Sequence, residues 1–174
     1  MVTIILFRGP AAAGKTTIAT HLLKEIKKEG IKPAFISEDN FRKRLQFKYK
    51  SGEKKAHLNS VIIIKTVIDK LLEIDDYDLI VIEGLLRYPE MVNKYKEYCK
   101  KRKFKFQIFQ FQAPFEVRKK RDKVSVTRDH ITGLGKRPIQ EEEESFTIKG
   151  SIIIDTTKDI EKSVKLIRKK LITN

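Results

Sequence analysis

The segment that most constrains this chain is a run of small residues, GPAAAGKTT, at residues 9–17. An apolar run at residues 2–7 precedes it and predicts a buried strand, while residues 16–29 follow with the spacing of a helix. A strand, a turn rich in glycine and a helix in this order match the phosphate-binding pattern Gly9-x-x-x-x-Gly14-Lys15-Thr16. The chain is therefore expected to build an α/β unit with this loop at the carboxyl end of its first strand.

The loop predicts binding of a nucleoside triphosphate. Its glycines let successive backbone N–H groups point at phosphate oxygens, and the following helix adds the positive end of its dipole. Lys15 is expected to reach the β- and γ-phosphates, Thr16 to bind Mg²⁺ through its hydroxyl, and Thr17 to donate to the α-phosphate. The sequence has no Asn-Lys-x-Asp guanine signature, so ATP is the expected nucleotide. The residues predicted to hold ATP are those of the loop: Gly9, Pro10, Ala11, Ala12, Ala13, Gly14, Lys15, Thr16 and Thr17.

Strand and helix patterns alternate along the whole chain, without a linker or a repeat. The predicted strands lie at residues 2–7, 33–36, 79–82, 104–111 and 151–154, and the predicted helices at 16–29, 40–45, 54–73, 89–101, 114–123 and 158–171. Strands that are apolar throughout are buried on both faces, which indicates a mostly parallel sheet between two layers of helices. We expect an α/β fold that forms one domain over residues 1–174 and binds its ligands beyond the carboxyl ends of the strands.

The charge and the cysteine content of the sequence indicate which binding partners and which cellular compartment to expect. The chain has 38 lysine and arginine residues against 23 aspartate and glutamate residues, a formal net charge of +15, which favours an anionic partner. A solvated, lysine-rich surface is the plainer explanation of the same count. The single cysteine, Cys99, indicates a reducing, cytoplasmic setting. The first apolar run has no basic segment before it and no stretch reaches membrane-spanning length, so we expect neither a signal peptide nor a membrane segment.

Carboxylates follow two of the predicted strands at the edge where ligands are expected. After the second strand, Asp39 stands three residues before Arg42, a spacing that puts both on one side of a first helical turn. Asp39 could accept a proton from a hydroxyl group while Arg42 binds the acceptor's negative charge, although Asp39 could also simply cap the helix. Glu38 is the alternative base. After the third strand, Glu83 is expected to hold a water bound to Mg²⁺.

The basic segment at residues 118–138 predicts a mobile lid. It is polar and contains glycines, and it would bring cations over the transferring phosphoryl group while excluding water. Arg121 and Arg128 are the predicted catalytic arginines, and Arg118 is expected to contact the nucleotide. An ordinary exposed loop is the alternative.

With these motifs the chain resembles the small P-loop kinases that phosphorylate hydroxyl groups, a superfamily that includes polynucleotide 5′-hydroxyl kinases, adenylylsulfate kinases, zeta-toxin-like kinases and seryl-tRNA kinases. The resemblance covers nearly the full length and is strongest at residues 9–17 and in the run Asp39-Asn40-Phe41-Arg42. It implies the strand order 2-3-1-4-5, a general base at Asp39, an acceptor ligand at Arg42 and an adenine-side loop at Thr157. The pair Glu83-Gly84 is more similar to the Glu-Gly pair of uridine kinases and phosphoribulokinases than to the aspartate that many of the other relatives have.

The sequence thus predicts an ATP-dependent kinase with Mg²⁺ as cofactor. We expect its acceptor hydroxyl to lie on a nucleic acid, RNA or DNA, or on a nucleotide-like anion. A kinase for a small metabolite (a nucleoside, a sulfonucleotide or a sugar) is the second hypothesis. A non-catalytic, ATP-dependent RNA-binding protein is the third, and the Asp39–Arg42 pair argues against it.

Overall fold

A computed structural model of the protein describes residues 1–45, 53–124 and 146–172. Its centre is one five-stranded sheet in which every strand pairs in parallel with its neighbours, in the order β2-β3-β1-β4-β5. The strands are β1 (Thr3–Arg8), β2 (Pro33–Ser37), β3 (Leu79–Gly84), β4 (Lys105–Gln112) and β5 (Ile152–Asp155). The fold class and the strand order are those that the sequence and the resemblance predict.

The described helices connect the strands and cover the sheet. They are α1 (Lys15–Lys28), α2 (Glu38–Arg44), α3 (Lys54–Ile74), α4 (Pro89–Arg102), α5 (Phe115–Val124) and α6 (Ile160–Ile172). None of the helices within the described ranges combines the length and hydropathy that crossing a membrane requires.

The core lies on both faces of the sheet because successive side chains of each strand point in opposite directions. On one face Ile4 and Leu6 pack in a cluster with residues of α3 and α4, among them Ile64 and Tyr95. On the other face Ile5 and Phe7 share a second cluster with residues of α1 and α6: Leu22, Ile26, Val164 and Ile167. The strand that precedes the glycine-rich loop is therefore fixed from both sides.

The register of the sheet sets the positions of the candidate site residues. Phe7 of β1 and Ser37 of β2 both lie opposite Glu83 of β3. The phosphate loop, the start of α2 and the segment after Glu83 consequently leave the sheet at the same edge, where ligands of parallel sheets bind.

The helix after β2 begins two residues earlier than the sequence pattern indicates. Ser37 occupies the N-cap position, so Glu38 and Asp39 lie within the first turn of α2, where acidic side chains suit the helix dipole. The interpretation of Asp39 as an N-cap is therefore wrong, because the residue is part of the helix and its side chain is available for other partners.

Candidate active site

The loop at residues 9–14 takes a conformation that needs its glycines. A Cβ atom on Gly9 would lie 2.6 Å from the carbonyl oxygen of Phe111, and Gly14 has a left-handed φ of +81° at the N-cap of α1. The side chain of Lys15 is buried and donates hydrogen bonds to the carbonyl oxygens of Gly9 (2.8 Å) and Pro10 (3.0 Å). The loop and its lysine thus form one compact unit at the carboxyl end of β1.

Glu83 lies beside this lysine. Its Oε1 atom is 3.8 Å from Lys15 Nζ, and both side chains are buried. Thr16, in the first turn of α1, is exposed. These two residues supply a hydroxyl and a carboxylate oxygen, the hard donors that Mg²⁺ prefers, and Mg²⁺ in such sites takes few protein ligands beside water and phosphate oxygens. The donor set therefore fits the predicted magnesium site.

The predicted Asp39–Arg42 pair is formed. Arg42 NH2 donates to Asp39 Oδ1 at 2.9 Å, and the backbone N–H of Leu85 donates to the other carboxylate oxygen at 3.2 Å. Burial opposes ionisation of Asp39, but the charges of Lys15 and Arg42 outweigh it and hold the pKa of this carboxyl below its ordinary value. Asp39 is therefore an ionised acceptor for a proton at neutral pH, held between α2 and the segment that follows β3.

Glu38 lies behind this pair and has different surroundings. Its side chain has no exposure, whereas that of Asp39 is 30% exposed, so Asp39 is the better placed of the two to meet a substrate. Glu38 Oε1 accepts hydrogen bonds from Arg42 Nε (3.3 Å) and from Ser60 Oγ (2.5 Å). Burial, followed by the charge of Asp39, raises the pKa of Glu38 to about 7.

His57 of α3 lies next to Glu38. Its Nδ1 atom is 3.9 Å from Glu38 Oε1, and its ring meets that of Tyr88 edge to face at 5.3 Å. Burial, followed by the charge of Arg42, lowers the pKa of His57 to about 4, so the imidazole is neutral at pH 7. Sequence spacing gave no role to His57 or to Ser60, since neither belongs to a motif.

Arg121 lies on the opposite side of the phosphate loop. It donates to the hydroxyl (3.0 Å) and to the carbonyl oxygen (2.5 Å) of Thr156, at the end of β5. Arg121 and Thr156 also line a cavity of about 290 Å³. The other residues lining this cavity are Ala12, Gly14, Thr17, Ile18, Lys158 and Ile160.

Three further residues, Arg118, Thr157 and Arg128, are predicted to contact the nucleotide or the transferring phosphoryl group. Arg118 is buried and donates to the carbonyl oxygens of Ala113 (3.2 Å) and Ala11 (3.4 Å), which ties α5 to the phosphate loop. Thr157 is exposed and binds Asp155 Oδ1 through its hydroxyl and its backbone N–H, so it is Thr156 that reaches the cavity. Arg128 lies outside the described residues, as does the predicted lid from residue 125 onward.

Arg8 is a buried cation that the sequence motifs do not reveal. It ends β1 and donates to the carbonyl oxygens of Leu86 (3.4 Å) and Phe146 (2.9 Å), and its guanidinium lies 3.8 Å from the centre of the Phe146 ring. These partners are 78 and 138 residues away along the chain, so no local pattern could have identified them.

The arrangement defines a class of enzyme. A phosphate-loop motif follows the central strand β1, and a carboxylate and an arginine follow β2, two strands away at the same edge of the sheet, as expected of proteins that transfer a phosphoryl group from ATP. Such proteins are small P-loop kinases, phosphotransferases that use a hydroxyl group as acceptor. A family model described as "AAA domain" matches residues 4–146, and the chain belongs to this family of P-loop proteins.

Similar proteins agree with this class. A "Probable adenylyl-sulfate kinase" of Pyrococcus abyssi is 29% identical over 153 residues, which are 83% of this chain and 82% of the relative. A second protein of that description, from Archaeoglobus fulgidus, is 26% identical over 68% of this chain and 72% of its own length. The structure of the Mycobacterium tuberculosis APS kinase CysC in complex with AMPPNP and APS superposes with a TM-score of 0.76, at 14% identity over 98% of this chain and 97% of the other.

Proposed function

We propose that the protein transfers the γ-phosphoryl group of ATP to a hydroxyl group of a sulfonucleotide, with adenylyl sulfate as the first candidate. The observation that carries the proposal is the Asp39–Arg42 pair, an ionised base and a cation joined at 2.9 Å beside the phosphate loop. The names of the two archaeal relatives supply the acceptor class. They favour the small-metabolite hypothesis over the nucleic-acid acceptor that the basic composition indicated.

ATP is proposed to bind along the carboxyl edge of the sheet. Its phosphates would lie on the backbone N–H groups of the loop with Lys15 at the β- and γ-oxygens, and its nucleoside would enter the 290 Å³ cavity beside Arg121. Thr16 and Glu83 would hold Mg²⁺, which neutralises developing charge on the phosphate oxygens when bound. Arg118, Arg121 and Arg128 stay predicted as nucleotide or transition-state contacts, with Arg121 the one that already faces the cavity.

The reaction then needs one proton transfer and one displacement. Asp39 accepts the proton of the acceptor hydroxyl while Arg42 holds the acceptor's anionic group. The hydroxyl oxygen bonds to the γ-phosphorus, the bond from that phosphorus to the β–γ bridging oxygen breaks, and ADP leaves. Lys15 stabilises the negative charge that gathers on the oxygens during transfer.

Two of the basic residues near the proposed acceptor site already have acidic partners, which lessens the support that they give to a polynucleotide acceptor. Arg42 is buried between two carboxylates, and Lys54 pairs with Glu90 and lies 5.5 Å from the centre of the Tyr88 ring. Lys48 and Lys50, which lie between Arg42 and Lys54 along the chain, are outside the described residues.

The direct test is phosphoryl transfer from γ-labelled ATP with Mg²⁺ to a panel of acceptors: adenylyl sulfate, nucleosides, a sugar, and RNA and DNA with free 5′-hydroxyl groups. We expect labelled product with adenylyl sulfate, and none with Lys15→Ala, because that variant lacks the cation at the transferring group. Efficient labelling of a nucleoside or polynucleotide with none of the sulfonucleotide would contradict the acceptor and keep the kinase. ATP binding without transfer to any acceptor would contradict both.

A further inference from the structure

We propose that Glu38 is a positioning residue for the acceptor site, which fixes the guanidinium of Arg42 against α3 so that it faces Asp39 and the acceptor's anionic group. The proposal rests on the proposed function for the role of Arg42. It goes further by assigning a task to a buried carboxylate that takes no part in the chemistry.

The first step of the argument is the geometry around Arg42. Two carboxylates of the same helix bind two different nitrogens of one guanidinium: Glu38 meets Nε at 3.3 Å, and Asp39 meets NH2 at 2.9 Å. Contacts at two nitrogens fix the orientation of this planar group, whereas a contact at NH2 alone would leave rotation about the Cδ–Nε bond and the other side-chain torsions less restricted. Arg42 itself is buried, and these two contacts help to set its orientation.

The second step is that Glu38 is itself held. Ser60 Oγ of α3 donates to the oxygen that binds Arg42. A Cβ atom on Gly84 would lie 3.0 Å from Glu38 Cβ and 3.2 Å from Oε2, so the backbone of β3 packs directly against this side chain. Glu38 therefore links α2, α3 and β3, and it transmits their fixed positions to the guanidinium.

The third step is energetic. A fully buried carboxylate is costly to desolvate, and an ion pair with Asp39 alone would already partner Arg42. A well-packed apolar side chain at position 38 would avoid the cost but would leave Nε without this acceptor. A second carboxylate is thus best explained by the orientation that it gives to Arg42.

The test compares two substitutions at position 38 with a matched pair of serine variants. Glu38→Gln keeps the shape and an oxygen that can accept from Arg42 Nε, whereas Glu38→Ala removes the acceptor. Ser60→Ala loosens the anchor of Glu38. Ser163→Ala, a buried serine on α6, is the control, and it should change no kinetic constant.

Two readouts are needed for each variant. The first is the KM for the acceptor against the KM for ATP. The second is the Nε–Hε signal of Arg42 in ¹⁵N NMR spectra, assigned by its loss in Arg42→Lys, which reports an ordered guanidinium without any turnover. In Glu38→Ala we expect the acceptor KM to rise about tenfold or more, the typical effect of losing a charge-assisted hydrogen bond, with the ATP KM unchanged and the Arg42 signal lost to exchange. Glu38→Gln should restore both readouts to near the wild-type values, and Ser60→Ala should show a smaller change in the same direction.

An acceptor KM that is unchanged in Glu38→Ala, or an equal rise in both KM values with the Arg42 signal retained, would overturn the proposal while the kinase stands. If Glu38→Ala does not fold, the same two readouts, the KM values and the Arg42 signal, are taken from Ser60→Ala and decide the question. If the wild type phosphorylates no acceptor, the proposed function fails separately. The NMR arm then still decides, because a retained Arg42 signal in Glu38→Ala contradicts the positioning role.

Discussion

Asp39 and Glu38 are adjacent carboxylates that the fold places in opposite electrostatic situations. Lys15 and Arg42 hold the pKa of Asp39 below its ordinary value, while burial raises the pKa of Glu38 to about 7. Pairs of groups whose surroundings separate their pKa values are typical of enzyme sites. Here Asp39 stays ionised beside the proposed acceptor, whereas Glu38 is buried out of reach of solvent.

For the exposed member of this pair we predict that Asp39→Asn lowers kcat about a hundredfold or more and leaves the KM for ATP nearly unchanged, because the base is lost and the phosphate loop is not. Since the pKa of Asp39 lies below its ordinary value of 3.8, its protonation should not cause any loss of wild-type rate between pH 5 and 7. The measurement is steady-state kinetics across this range. A turnover equal to that of the wild type would remove Asp39 from the mechanism.

For Glu38 we predict a contribution to stability whose dependence on pH has the opposite sign to that of His57. The folded protein holds the proton of Glu38 up to about pH 7, against 4.5 ordinarily, so this group's contribution to stability falls as the pH rises from 4.5 to 7. His57 titrates at about 4 instead of 6.5, so its contribution falls as the pH drops from 6.5 to 4. Each effect is on the order of 3 kcal/mol.

Urea unfolding at a series of pH values separates the two contributions. In Glu38→Gln only the His57 slope remains, and the variant should lose stability on acidification below 6.5. In His57→Gln only the Glu38 slope remains, and that variant should lose stability as the pH rises towards 7. Parallel pH profiles for the two variants would contradict the assignment of these pKa shifts.

Sequence reasoning could identify those parts of the site that local patterns encode. The pair Asp39–Arg42 follows from a spacing of three on a helix, and Glu83 follows from its place after an apolar strand. The contact of Glu38 with Ser60 spans 22 residues and that of Arg8 with Phe146 spans 138, so both depend on how helices and strands pack. The preference for Asp39 over Glu38 as base came from the spacing to Arg42 and from the resemblance, and the burial of each side chain, which a sequence does not reveal, supports it.

At the scale of elements, α6 covers one face of the sheet and is held to α1. Val164 and Ile167 enter the core beside Ile5 and Phe7, and Arg168 pairs with Glu25 of α1 and with Glu29 at the C-cap of that helix. The ion pairs are partly exposed and contribute at most about 1 kcal/mol each. Apolar burial is therefore what attaches the last helix to the molecule.

Neighbouring positions on this helix offer a matched comparison. Ile167 is fully buried and Leu166 is 39% exposed. We predict that Ile167→Ala lowers the free energy of unfolding by about 2–4 kcal/mol, because it leaves a cavity against the sheet, and that Leu166→Ala lowers it by less than about 1 kcal/mol. Chemical denaturation of both variants measures the difference, and equal losses would mean that α6 does not pack as described.

At the scale of the whole molecule, the net charge of +15 acts on every anion that approaches. A sulfonucleotide carries few charges, so we predict that the logarithm of its KM rises only shallowly with the logarithm of salt concentration. A polynucleotide would instead lose affinity with a slope of about −0.7 for each phosphate contact. Acceptor kinetics between low and physiological salt, with ATP saturating, provide the measurement. A steep slope for RNA or DNA together with their efficient phosphorylation would restore the nucleic-acid acceptor.

The fold class could be predicted from the sequence pattern, whereas the strand order and the start of α2 could not. Apolar strands alternating with helices indicate a parallel α/β fold, because a strand buried on both faces has few other arrangements. The order of the strands does not follow from periodicity, since the same alternation is compatible with several sheets, and it came from the resemblance to P-loop kinases. The start of α2 at residue 38 depended on which of several polar residues takes the N-cap, a choice that propensities leave open.

The strand order also has a consequence for how the chain is made. β1 and β2 are synthesised before β3, but they do not touch each other in the sheet, because β3 lies between them. No native pairing of β1 or β2 can begin until Leu79–Gly84 has been synthesised, so the apolar strand β1 stays without its partners during that time. Parallel pairings between distant segments form slowly. The interval before β3 emerges is thus a period in which the strand that carries the phosphate loop has no partner in the sheet.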